Sequence, residues 1–144
     1  MCKKNFTNKS GLRIIGKNVH PEVRDCVIRF TRWLRKIKPF PVRINVYLLP
    51  HSHIIARDGD ECSATIWIPD DPSCSPYIKI STGDYEQSKN TDGRDNALAG
   101  ILGSLCHELI HYWQWLDTGD MWEKGVPRQA SALVRLYSKS TEHP

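Results

Sequence analysis

One segment limits how this chain can fold: residues 94–116 repeat apolar side chains at helical spacing. Ile101, Leu102, Leu105, Leu109 and Trp113 fall on one face. Asp92 is a candidate N-cap and Asp95 an acidic residue for the first turn, both favourable beside the unpaired N–H groups of a helix start. Gly119 marks the stop. His107 and His111, four residues apart, come one turn apart on the other face. The rest of the chain must grip this helix by its apolar side.

Two imidazoles at that spacing can hold one metal ion. Glu108 follows His107 directly and projects about 100° further round the helix, clear of the ligand positions. There a carboxylate can take a proton from a metal-bound water and later give it to a leaving amine. The order His-Glu-Leu-Ile-His therefore suits zinc-dependent hydrolysis of a peptide bond. With six His in 144 residues, and Glu equally common, chance produces such a pattern in about one chain in a hundred. Gly100 and Gly103 lie on the histidine face, where the missing side chains let a strand or a substrate backbone come close.

The remaining elements are read from periodicity. Pro21 opens a helix reaching to about Lys38, with Val23, Val27, Phe30, Leu34 and Ile37 in one stripe, and Pro39 and Pro41 end it. Strands are expected over 42–49, 53–56, 63–68 and 77–81, with Asp58-Gly59-Asp60 and residues 70–76 as turns and 86–92 as a polar loop. A last helix runs from about Pro127 to Tyr137, with Ala130, Leu133 and Val134 facing inward. The order of elements predicts an α+β domain over residues 13–144, with helices on one face of a mixed sheet. Residues 1–12 read as a flexible basic lead-in.

Composition narrows the class. The chain is 40% hydrophobic and 25% charged, an ordinary globular balance. No apolar run approaches the roughly 20 residues of a membrane span, and no apolar stretch follows the basic N-terminus as in a secretory signal. A cytoplasmic protein is the expectation. Five cysteines at irregular spacing, without Cys-x-x-Cys, predict free thiols rather than a disulfide framework or a cysteine zinc site. The net charge of +4 is mild. Arg32, Arg35 and Lys36 on the first helix offer a phosphate-binding face, but a solvated outer face is the simpler account.

The motif and its surroundings resemble a known group. HELIH is shared by zincin-type metallopeptidases. The longer pieces PYIKISTGDY, GRDNALAGILGSLCHELIHYWQWL and EKG followed by RQA resemble small bacterial and phage metallopeptidases described as SprT-like. The resemblance covers the C-terminal half well and the N-terminal half weakly. It implies a zincin-like fold: a small twisted mixed sheet, an active-site helix, and a C-terminal helix packed against it. It implies Zn2+ as cofactor and a peptide or protein substrate, with YIKIS as the edge strand above the metal, able to pair with that substrate. A catalytically inactive zinc-binding module and a DNA-associated one are the alternatives.

The third ligand follows from that resemblance. HExxHxxGxxH is excluded, since Gln114 and Asp117 stand at the glycine and third-histidine positions. A glutamate-type zincin takes a later carboxylate, and Glu123 stands at the resembling place before Lys124-Gly125. The family pattern also carries an acidic residue four places on, where this chain has Pro127. If the ligand belongs there, Asp117, Asp120 or a water takes its place and activity is in question. His51 and His53 form a lesser candidate pair. Gln114 shares the histidine face and is placed to bond a ligand or to contact substrate. Tyr77, Tyr85 and Tyr112 are candidates for stabilising an oxyanion. Substrate-binding residues and oligomeric state are not legible.

Overall fold

The computed structural model describes residues 10–55, 59, 61–70 and 74–140. Its first helix, α1 (Pro21–Ile37), starts where His20 Nδ1 accepts from the Glu22 N–H at 3.1 Å. Val23, Val27, Phe30 and Leu34 are fully buried. Ile37, expected on the same stripe, is 44% exposed, and Trp33 and Cys26 are buried instead.

Four strands form a mixed sheet in the order β1 (Leu12–Ile15), β2 (Ile44–Leu49), β6 (Tyr77–Ser81), β5 (Ala64–Trp67). The first three are parallel and β5 is antiparallel to β6. Period-2 alternation sends Leu12, Ile44, Val46, Leu48, Ile78 and Ile80 to one face, where they join the helices in the core. Tyr47, Tyr77 and Trp67 go to the other face, where the Tyr77 ring stacks on Trp67 at 5.3 Å. A second small sheet pairs β3 (Ile54–Ile55) with β4 (Glu61–Cys62). Ala56, Asp58 and Asp60 of the expected strand and turn lie outside the described residues, as do 71–73 of the expected turn before Tyr77.

The structure corrects several expectations. Residues 11 and 12 are not a flexible lead-in. The Gly11 N–H donates to Phe40 O at 2.8 Å, and Leu12 opens β1 beside Ile44. Residues 1–9 lie outside the described residues. YIKIS is not an edge strand, because β2 flanks it on one side and β5 on the other. The expected polar loop is a helix, α2 (Tyr85–Asp92). So polar a segment of eight residues is marginal alone; buried Tyr85, whose hydroxyl donates to Glu22 at 2.7 Å, fastens it to α1. Asp92 is therefore the end of α2, and Gly93, at φ 91°, is the N-cap of α3 (Arg94–Thr118).

Helix α3 lies on the core face of the sheet through Leu102, Leu105 and Leu109. The C-terminal helix α4 (Val126–Ser138) packs on α3, and its Tyr137 ring meets Phe30 and Trp33 of α1 at 5.0 and 5.1 Å. The whole is an α+β fold. Among the described residues no helix is long and apolar enough to cross a membrane. Cys26 and Cys106 are buried free thiols, but Cys74 is disulfide-bonded, against the expectation of free thiols throughout. Spacing along the chain does not reveal which cysteines folding brings within bonding reach. Arg35 of the basic helix face is engaged structurally, its guanidinium donating to Leu12 O at 2.5 Å.

Candidate metal centre

Fully buried Leu105, Cys106, Leu109 and Tyr112 fix α3 in rotation, so its opposite side presents the motif residues. The His107 and His111 rings lie one turn apart, with centroids 5.1 Å from each other. His111 is buried, and His107 is partly open to the surface.

A tight reversal returns the chain to these rings. Gly119 takes the left-handed conformation at φ 83° and ends α3. The Thr118 hydroxyl donates to Gln114 O at 3.0 Å and accepts from the Asp120 N–H at 3.1 Å. The Trp122 N–H then donates to the side-chain oxygen of Gln114 at 3.0 Å. Glu123 follows directly and faces both histidines. Its Oε1 lies 2.6 Å from His111 Nε2, and its Oε2 lies 3.1 Å from His107 Nε2.

The ligand atoms of His107, His111 and Glu123 all lie within 4.8 Å of one another. In a tetrahedral zinc site, bonds of about 2.0–2.2 Å space the ligand atoms about 3.4 Å apart. Two imidazole nitrogens and one carboxylate oxygen are a donor set that a divalent ion accepts, so the residues present fit such an ion. Among the described residues this is the only such group. His51 and His53 do not form one; His53 instead sits 3.6 Å from Glu61. Asp117 and Asp120 are exposed and stand outside the group.

Charge is arranged unevenly here. Burial raises Glu108 to about 7, against a smaller lowering by His107 and His111. Burial also pulls Glu123 upward, but its hydrogen bonds with His107 and His111, and their charges, outweigh this and hold it below the ordinary carboxylate value. Two neighbouring carboxyl groups are thus driven in opposite directions, one towards accepting a proton at neutral pH and one towards staying ionised. Burial leaves the Cys106 thiol at about 12, which makes it inert as a nucleophile.

A hollow of about 430 Å³ adjoins His107 and Glu108, lined by Gly100, Gly103 and Ser104 of α3, Pro127 and Ala130 of α4, and Ala64 of β5. Among the described residues a Cβ added at Gly100 or Gly103 would meet nothing within 4 Å, so none of the described strands lies close against either glycine. The edge strand beside this hollow is β5, in place of the expected YIKIS. The Ser81 N–H donates to Ser63 O at 2.8 Å, and Ala64 pairs with Ile80. In antiparallel pairing the hydrogen-bonded positions alternate, so the backbone groups of Ala64 and Ile66 point away from β6, towards the open edge.

The three candidate oxyanion tyrosines are committed elsewhere. The Tyr112 hydroxyl donates to Val42 O, Tyr85 serves Glu22, and Tyr77 stacks on the far face of the sheet. Gln114 does bond a histidine of the motif, with its Oε1 3.0 Å from His111 Nδ1. Pro127 lines the hollow and offers no donor to it. No signal in the sequence points to Ala64 and Ile66, because strand order is not written locally. Comparisons with protein-family models, with curated proteins and with solved structures found no match.

Proposed function

We propose that this protein is a zinc-dependent metalloendopeptidase of the zincin type, SprT-like in its motif. His107, His111 and Glu123 hold the ion and Glu108 moves the proton. The observation that carries the reading is the meeting of three donor groups, from two segments of chain, beside a half-buried carboxyl raised to about 7.

An ion held there would supply Lewis acidity and a water of lowered pKa. The residues of the chain account for the rest. An extended peptide adds to the open edge of β5, bonding the outward backbone groups of Ala64 and Ile66. One of its side chains enters the hollow beside Gly103. Glu108, poised near neutral pH, takes the proton of the attacking water and delivers it to the leaving amine. Ionised Glu123 keeps its negative charge beside both histidines throughout.

Glu108→Gln tests this reading. The variant is expected to retain one equivalent of zinc while peptide hydrolysis falls by about 10²–10⁴-fold. Metal content and cleavage of a broad peptide mixture, followed by mass spectrometry, give both numbers. Wild-type rates in the variant would overturn the mechanism.

A further inference from the structure

The side chain of Gln114 is buried, and one of its atoms serves two partners. Its Oε1 lies 3.0 Å from His111 Nδ1 and accepts from the Trp122 N–H at 3.0 Å. A backbone N–H can only donate, so the atom it meets must be the amide oxygen and not the nitrogen. His111 Nδ1 faces that same oxygen and must carry a proton to bond it. In the neutral ring this leaves the lone pair on Nε2, the atom that faces His107 and Glu123. The other end of the amide contact holds the residue immediately before Glu123.

We propose that Gln114 is the positioning residue of the metal centre: one buried oxygen makes His111 Nε2 the free donor and pins the loop that presents Glu123. This rests on His107, His111 and Glu123 holding an ion. Gln114 touches no ion itself. It acts on two of the three donors, through the tautomer of one and the placement of the other. An outer partner that orients a ligating ring in this way also raises its basicity. Here that partner sits three residues further along the same helix, and the reversal at Gly119 brings the loop back to it.

The test uses the full chain with Gln114→Leu, which removes the acceptor, and Gln114→Glu, which keeps one. Zinc affinity is measured by competition with a chromophoric chelator. The Leu variant is expected to bind zinc about 10–100-fold more weakly, and the Glu variant to recover most of that loss. The second readout is the tautomer of the neutral His111 ring, from long-range proton–nitrogen NMR. It is read in the Glu123→Ala background, so that no carboxylate draws the proton to Nε2. With Gln114 present the proton is expected on Nδ1; with Leu it is expected on Nε2. If the Leu variant does not fold, Gln114→Asn, which draws the oxygen back by one methylene, gives the same comparison. Unchanged tautomer and unchanged zinc affinity in a folded variant would overturn the proposal. A wild-type protein that binds no divalent ion would overturn the metal reading instead, and the tautomer measurement would still decide what Gln114 does to His111.

Discussion

Glu123 Oε1 lies 2.6 Å from His111 Nε2, although the two residues belong to separate segments joined by a reversal at Gly119. The carboxylate side chain is 69% exposed, so packing does not hold it there. What holds it is the paired attraction of two rings and the anchored loop behind it.

Removing that carboxylate should therefore affect metal and little else. Glu123→Ala is expected to weaken zinc binding by more than about a hundredfold, beyond what loss of an outer partner does. The stability of the ion-free chain should change by no more than about 0.5 kcal/mol, as for other surface substitutions. Elemental analysis and denaturant unfolding check the two halves. Asp117→Asn and Asp120→Asn should keep their zinc, and loss of zinc from either would transfer the third ligand to that residue.

Gly100 and Gly103 sit inside a helix where glycine is unfavourable, yet among the described residues a Cβ at either position would touch nothing. Alanine at either site should then stabilise the fold by about 0.5–1 kcal/mol. Gly103→Leu should fill part of the hollow beside Glu108. Its expected effect is selective: cleavage next to bulky residues falls, while cleavage next to small ones persists. A cleavage profile matching the wild type would mean that no substrate side chain enters the hollow.

Glu22 ties α1 to its neighbours, with Tyr85 Oη at 2.7 Å, Lys89 Nζ at 3.1 Å and Arg94 Nε at 3.4 Å. The Tyr85 hydrogen bond, and after it Lys89, holds the Glu22 carboxyl at about 2 instead of 4.5. A carboxyl depressed on folding stabilises the fold above its unfolded pKa and surrenders that as pH falls through the folded one. The contribution is thus complete above 4.5 and gone near 2. Wild type should be more stable than Glu22→Gln at about pH 6, with the difference shrinking on acidification through that window. Urea titrations at stepped pH measure it, and a difference independent of pH would contradict the assignment.

Long periodic segments are legible in the amino-acid order. Helices α1, α3 and α4 and strands β2 and β6 follow from spacing that local geometry imposes on an apolar face. The same spacing puts His107, Glu108 and His111 where one side of α3 presents them. Some short elements are not legible: Leu12 of β1 reads as lead-in and the rest of that strand gives no signal, nor does β4, and α2 reads as loop. These segments show neither a clear alternation nor an apolar helical stripe of their own, and they are held by contacts such as Gly11 to Phe40 and Tyr85 to Glu22.

What the chain alone determined is the chemistry of one helix face, because residues three and four apart on a helix are neighbours whatever surrounds them. What only tertiary structure decided is which distant groups complete that face. The approach of Glu123 to His107, the shared oxygen of Gln114, the place of YIKIS inside the sheet and the open edge of β5 all depend on loop closure and strand order. Those are decided by the summed packing of the whole core, which no local stretch of sequence records.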